Sequence, residues 1–245
     1  MRIAVAGGTG VVGRHVVELA RARGHEVDVL SRSKGVDLTA AGTVDLTGVE
    51  AIVDVTSVST TIASKAKAFF TATARNLLAA GQAAGVGHYV LLSIAGIDGA
   101  PFGYYAGKLE QERLVSEGSM PWTILRATQF HEFAGQIHQR MKVGPLSLVP
   151  AMRSQPIAAR EVASRLVDLA EAGPAGRVPD LAGPQEERMA DLSRRWAKAT
   201  GKKGIVVEAA IPGEFGQAMR DGTLLARPGA EHGSQTFDQW LQSAH

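Results

Sequence analysis

The stretch Ile3-Ala4-Val5-Ala6-Gly7-Gly8-Thr9-Gly10-Val11-Val12-Gly13 is a short apolar run that drives into four glycines at the head of an amphipathic segment. The apolar run reads as a buried parallel strand. The glycines read as a turn stripped of side chains, where backbone N–H groups can approach an anion. The segment that follows places Val12, Val16, Leu19 and Ala20 on one helical face and Arg14, Glu18 and Arg21 on the other. Strand, bare turn and helix N-terminus in succession suit the pyrophosphate of a dinucleotide, held by the helix dipole and its unpaired N–H donors. Two registers fit, Gly8-x-Gly10-x-x-Gly13 and Gly7-x-x-Gly10-x-x-Gly13, and the sequence does not choose between them.

Outward from this stretch, apolar runs and helical patterns alternate as they do in βαβ units. Strands are expected at Ile3–Ala6, Glu26–Leu30, Ala51–Val55, His88–Ser93 and Trp122–Arg126, and helices at Val11–Arg23, Ser64–Ala84 and Tyr104–Glu117. The segment Gly35–Gly48 is less regular and reads as loops with a short strand at most. After about residue 130 the alternation loosens among Gly-Pro pairs, with helices expected at Arg160–Ala170 and Met189–Ala199 and a strand at Ile205–Glu208. The expected architecture is α/β: a doubly wound parallel sheet over residues 1–150, and residues 151–245 as a small substrate-binding lobe packed on the same core.

Composition narrows the function classes. The 245 residues are 45% hydrophobic, and 26 basic against 24 acidic residues leave a net charge of +2 without a basic stripe, so nucleic acid is not an expected partner. There is no cysteine, which removes disulfides, thiolate metal sites and cysteine nucleophiles together. No metal site is expected from the dispersed histidines. No stretch approaches the roughly 18 apolar residues of a membrane span, and no leader is evident, so the expected setting is cytoplasmic and away from membranes.

The end of the second strand bears on the cofactor. An acid there accepts hydrogen bonds from the ribose 2′-hydroxyl of NAD. Here Glu26–Leu30 runs into Ser31-Arg32-Ser33-Lys34. The guanidinium of Arg32 suits a 2′-phosphate, so NADP(H) is expected over NAD(H). Asp28 falls inside the strand rather than at its end.

Tyr104-Tyr105-Ala106-Gly107-Lys108 holds a Tyr-x-x-x-Lys pair at the mouth of a helix. A spacing of four puts phenol and ammonium on one face, where the cation is expected to lower the tyrosine pKa toward acid–base use. Ser93 ends the fourth strand, at the sheet edge where ligands of open α/β folds bind, and is a candidate partner for a substrate oxygen. Each member also has a plain structural role open to it: packing for Tyr104, an ion pair with Glu112 for Lys108, and a strand end for Ser93.

With Gly7-Gly8-Thr9-Gly10-Val11-Val12-Gly13, Arg32, Leu91-Leu92-Ser93-Ile94-Ala95-Gly96, Tyr104 to Glu110 and Pro121-Trp122-Thr123-Ile124-Leu125-Arg126 together, the chain resembles the short-chain dehydrogenase/reductase superfamily, in its atypical NAD(P)-binding, NmrA-like branch. The resemblance covers residues 1 to about 135. It implies a Rossmann core, cofactor contacts from Gly7, Thr9, Gly10, Val11, Val12, Gly13 and Arg32, and backbone at Val55 and Thr56 lying along the cofactor. It further implies Ser93 polarising a carbonyl, Tyr104 as acid or base, and Lys108 holding the nicotinamide ribose and tuning Tyr104. A homodimer is compatible with it.

After the fifth strand, Arg126-Ala127-Thr128-Gln129-Phe130-His131-Glu132-Phe133 is expected to open toward the nicotinamide, making Gln129, His131 and Phe133 candidate substrate contacts. The plain alternative is a surface loop with Phe130 or Phe133 tucked into the core, and for His131 alone that alternative is favoured. The leading expectation is NADPH-dependent reduction of a carbonyl or quinone on a small, apolar substrate. A non-catalytic NADP(H)-sensing regulator and an NAD(P)-dependent epimerase or dehydratase stand as alternatives.

Overall fold

A computed structural model of the chain describes residues 1–244; His245 lies outside the described residues. In chain order the elements begin β1 (Arg2–Ala6), α1 (Gly13–Ala22), β2 (Glu26–Leu30), β3 (Ala51–Asp54), α2 (Ala63–Ala84), β4 (His88–Ile94), α3 (Gly103–Glu117) and β5 (Trp122–Ala127). They continue as α4 (Glu132–Arg140), β6 (Lys142–Val143), β7 (Leu146–Pro150), β8 (Arg153–Ser154), α5 (Ala159–Ala172), β9 (Gly176–Arg177) and β10 (Leu181–Ala182). The last are β11 (Glu187–Arg188), α6 (Met189–Ala199), β12 (Ile205–Ala209), α7 (Gly213–Arg220), β13 (Glu231–His232) and α8 (Phe237–Ala244). The expected α/β class with a parallel sheet is what the chain adopts.

The chain forms two compact units. One takes residues 1–94, 101–126 and 160–179; the other takes 95–100, 127–159 and 180 onward, so the two interleave along the sequence rather than dividing at residue 150.

In the first unit the strands lie in the order β2-β1-β3-β4-β5-β9, with β1–β2, β1–β3, β3–β4 and β5–β9 paired in parallel. The order reverses between β1 and β3, which is where an open α/β sheet leaves a crevice at its carboxyl edge. One face of the sheet buries Ala4, Ile52, Tyr89, Leu91 and Ile124 with Leu77 of α2 and Val115 of α3. Helix α3 seats closely on α2 because residue 107 is glycine: a Cβ there would stand 2.7 Å from the Ala66 carbonyl carbon and 2.8 Å from the Phe70 ring. The irregular Gly35–Gly48 segment contains no strand; Asp37 and Asp45 each accept the backbone N–H and hydroxyl of the threonine two residues on, while Leu38 and Leu46 anchor it in the core. Arg23 and His25 bind Asp168 and Glu171 of α5 at 2.6–2.9 Å.

The second unit is built around the small sheet β12-β7-β6, with β12 parallel and β6 antiparallel to β7. Helices α4 and α6 pack on it. They meet where Gly135 leaves room for the Trp196 indole, which a Cβ would approach to 2.6 Å.

Beneath the Tyr-x-x-x-Lys segment, Arg126 of β5 donates two hydrogen bonds to the Glu112 carboxylate of α3, at 2.7 and 2.6 Å, both groups nearly closed to solvent. Breaking such a pair leaves an uncompensated buried charge, whereas replacing both partners removes the charge altogether. Glu112→Leu is therefore expected to cost about 3–5 kcal/mol in chemical denaturation, and Glu112→Leu with Arg126→Met to recover most of that loss.

Candidate functional site

The glycine turn follows β1 directly. Gly7 has φ of +82°, a conformation open to glycine at little cost, and a Cβ there would meet the Val55 carbonyl at 2.9 Å and Thr56 Cα at 3.1 Å. At Gly13 a Cβ would stand 2.2 Å from the Gly7 carbonyl, so this glycine lets α1 start against the turn. Around Gly10 a Cβ would meet the Gly7 carbonyl alone, at 3.2 Å, leaving the backbone approachable. A tight turn, an open backbone and a close helix approach assign the register Gly7-x-x-Gly10-x-x-Gly13.

Helix α1 has Val12 at its N-cap, no capping side chain and no acid in its first turn. Its first backbone bond runs from Arg14 N–H to the Gly10 carbonyl at 3.1 Å. The N–H groups ahead of it are the donors a helix terminus offers to an anion. The residues present thus fit a dinucleotide pyrophosphate.

Past β2, Arg32–Lys34 form one 3₁₀ turn. Arg32 is exposed and makes no ion pair with a carboxylate among the described residues, while Ser31 and Ser33 share a hydrogen bond of 3.1 Å. Asp28 is occupied inside the strand by Arg2, whose Nε donates to it at 2.8 Å.

The sequence reading missed the carboxylate that organises the rest of the site. Asp54, fully buried at the end of β3, accepts the Thr56 N–H on Oδ1 at 2.9 Å. Its Oδ2 accepts the Tyr89 hydroxyl at 2.6 Å and Gln111 Nε2 at 2.7 Å. With Nε2 committed to Asp54, the Gln111 amide turns its oxygen to Lys108 Nζ, which also donates to the Leu92 carbonyl at 2.7 Å. The ammonium lies 4.9 Å from the centre of the Phe70 ring. Burial pulls the Lys108 pKa down to about 8, although the charges of Asp54 and Glu112 oppose the fall.

Tyr104 and Lys108 share one face of α3 and both contact Phe70, whose ring stands edge-on to Tyr104 at 5.3 Å. The Tyr104 hydroxyl shares a hydrogen bond of 3.0 Å with Ser57. Its pKa does not fall as expected: burial pushes it up to about 12, the Ser57 bond opposing and the Asp54 charge adding to the rise. The reason is that the phenol sits buried among aromatic rings, while Lys108 directs two of its three donors to Leu92 and Gln111. Ser93 is the penultimate residue of β4, its hydroxyl buried and without a hydrogen-bond partner among the described residues.

In the second unit, Gln129 is buried, accepting the Ser154 hydroxyl at 3.0 Å. His131 is fully buried against Phe237 and Trp240, each 5.6 Å away between ring centres, with Nε2 3.1 Å from the Gln235 carbonyl. Phe133, one residue into α4, keeps part of its surface exposed. The stretch is the entry to a helix rather than an extended loop.

The family described as NAD(P)H-binding matches residues 7–172, a span that contains the glycine turn from its first residue, Arg32, Asp54 and the Tyr104–Lys108 pair. The chain belongs to this NAD(P)H-binding family. Solved structures with the same fold include a short-chain dehydrogenase/reductase superfamily protein from Agrobacterium tumefaciens with bound NAD, at 21% identity and TM-score 0.68, covering 100% of this chain and 96% of that one. An NAD-dependent NDP-hexosamine 5,6-dehydratase of tunicamycin biosynthesis matches at 17% identity and TM-score 0.73, covering 99% and 97%. A nucleoside-diphosphate-sugar epimerase from Staphylococcus aureus matches at 16% identity and TM-score 0.67, covering 99% and 100%. At these identities the likeness is one of fold. None of the curated proteins matches. Among the described residues no cluster of His, Cys, Asp or Glu could hold a metal ion, and no helix is long and apolar enough to cross a membrane.

The lowered Lys108 pKa fixes the sign of a stability effect. Between about 8 and the ordinary lysine value of 10.5 the folded chain has released this proton while the unfolded chain retains it. Stability contributed at this position therefore rises with pH through that window. Thermal melts between pH 8 and 10 should show the wild type gaining on Lys108→Met by up to about 1.4 kcal/mol per pH unit; parallel curves would remove Lys108 as the titrating group.

Proposed function

We propose that the protein is an NADPH-dependent oxidoreductase that reduces a carbonyl or quinone group of a small, apolar substrate. The observation that carries the reading is the placement of a protonated phenol, Tyr104, and a buried ammonium, Lys108, on one face of α3, in the same unit as the glycine turn. When bound, the nicotinamide supplies hydride-transfer chemistry. The chain's own part is to hold the cofactor and move a proton. The turn Gly7–Gly13, with Thr9, Val11 and Val12, receives the pyrophosphate. Arg32 pairs with the ribose 2′-phosphate, which is the basis for NADPH over NADH. Val55 and Thr56 lie along the cofactor, and Lys108, with one N–H beyond its two bonds, holds the nicotinamide ribose.

A tyrosine at about 12 remains a phenol at neutral pH. That state suits an acid that protonates a developing alkoxide, a stronger base, and so favours the reductive direction. Ser57 holds the Tyr104 hydroxyl in place and can return a proton to it. Ser93 is assigned to the substrate oxygen and Phe133 to the substrate's apolar body, with Gln129 and His131 fixing the entry to α4. The sealed Ser93 hydroxyl is the observation that favours the second reading, a non-catalytic NADP(H) sensor.

NADPH oxidation followed by absorbance across quinones, ketones and enones separates the two. Under the reductase reading Tyr104→Phe lowers turnover about 10²–10⁴-fold without weakening NADPH binding. NADPH binding with no substrate consumed would favour the sensor. In fluorescence titrations, Arg32→Ala should weaken NADPH about 10–100-fold and leave NADH unchanged; an equal loss for both would overturn the 2′-phosphate assignment.

A further inference from the structure

One side chain of the first unit bonds to both parts of the chain assigned to the cofactor, the end of β3 and Lys108. Gln111 is fully buried in α3, three residues after Lys108. Its amide nitrogen donates to Asp54 Oδ2 at 2.7 Å and reaches the Thr56 hydroxyl at 3.4 Å, so both of its N–H bonds run to β3 and the residues after it. The amide oxygen is what remains, and it accepts from Lys108 Nζ. The opposite orientation would set that oxygen against a carboxylate and the amide NH₂ against an ammonium, two repulsive contacts in a dry pocket. Asp54 thereby dictates which end of the amide Lys108 meets.

An ammonium on a flexible four-carbon stem carries three rotatable donors. For Lys108 two are committed, one to the Leu92 carbonyl of β4 and one to Gln111. In a tetrahedral group two fixed bonds leave a single direction for the third. Among the described residues no other side chain bonds this ammonium. The charges acting on it are those of Asp54 and Glu112. Asp54 is spent on Thr56, Tyr89 and Gln111, and Glu112 is paired with Arg126 of β5. Helix α2 meets it with the uncharged ring of Phe70, and the Tyr104 hydroxyl on its own helix bonds Ser57 instead. Without Gln111, then, the ammonium would keep the Leu92 carbonyl as its one anchor and could swing about it.

We propose that Gln111, held by Asp54, is the positioning residue of Lys108: it aims the one uncommitted N–H of the ammonium and ties it to the Thr56 segment, so that both cofactor contacts are set before NADPH arrives. The role of Lys108 toward the nicotinamide ribose rests on the oxidoreductase reading; the part played by Gln111 rests on the bonds above. Fixing a long side chain in advance removes an ordering cost that binding would otherwise carry. An amide is the side chain that fits between the two groups. A carboxylate at 111 would face the Asp54 carboxylate, and an apolar side chain would offer Lys108 no acceptor.

The test exchanges donor and acceptor in the full chain, with two readouts: the titration midpoint of Lys108 in the free protein, followed by NMR of lysine Cε and assigned with Lys108→Met, and NADPH affinity by fluorescence titration. Gln111→Met is expected to lower the midpoint and to weaken NADPH about 10–100-fold. Asp54→Asn alone turns a donor toward the Gln111 donor and is expected to weaken NADPH as well. Asp54→Asn with Gln111→Glu reverses the pair at the same net charge: the asparagine amide donates to a carboxylate that accepts from Lys108 directly. This double variant should recover NADPH binding close to wild type and raise the midpoint by about 1–3 pH units. A role confined to packing would not move the midpoint down in one variant and up in the other, and thermal melts establish that each variant folds. Midpoints that stay put, or a double variant that binds NADPH no better than Asp54→Asn, overturn the proposal. Lys108→Met that binds NADPH as tightly as wild type overturns the ribose contact instead, and the midpoints still decide the role of Gln111.

Discussion

A carboxylate taken fully out of water must have its oxygens satisfied, and the first unit is arranged around the way Asp54 achieves this. Its partners come from its own strand end, from Tyr89 one strand over and from Gln111 on α3. An unpaired charge in that position would be costly enough to protonate or to expose itself. The three bonds hold the end of β3, the start of β4 and the register of α3 in one arrangement. The consequence at the site is indirect: with the Gln111 amide oriented by Asp54, its oxygen is aimed at Lys108, and the backbone of Thr56 is drawn back beside Gly7.

This arrangement trades acid strength for order. Lysine and tyrosine four residues apart could share a proton directly if both faced solvent. Packed on Phe70 and closed in by α2, each is instead pushed toward its neutral form, the lysine downward and the phenol upward. The structure thus contains a poised ammonium and a firmly protonated hydroxyl on one helical face.

Much of this was readable from residue order because it is local. The strand, turn and helix of Ile3–Ala22 occupy one stretch, each glycine has a steric reason to be there, and Tyr104 and Lys108 are one helical turn apart. What escaped was contact at a distance. Asp54 meets partners 35 and 57 residues away, and nothing around it in the sequence marks it apart from any strand-terminal acid. The glycine register depended on which carbonyl a Cβ would strike. The fate of His131 depended on Phe237 and Trp240, more than a hundred residues on. The tyrosine pKa was read with the wrong sign because spacing reveals that a cation is near, but not which atoms hold it or how dry the pocket is.

The interleaving of the two units has a bearing on how the chain assembles. Strand β9 and helix α5 belong to the first unit, and α5 closes it through contacts such as Arg23 with Asp168, a separation of 145 residues. The cofactor-binding half therefore cannot finish folding from its own first 126 residues. During synthesis β1 to β5 emerge without their final strand and without the helix that ties down the end of α1, so completion waits for the third segment. Long sequence separation slows closure by the loop entropy it must first overcome. The intervening residues 127–159 belong to the second unit, whose own sheet waits for β12, a strand made later still.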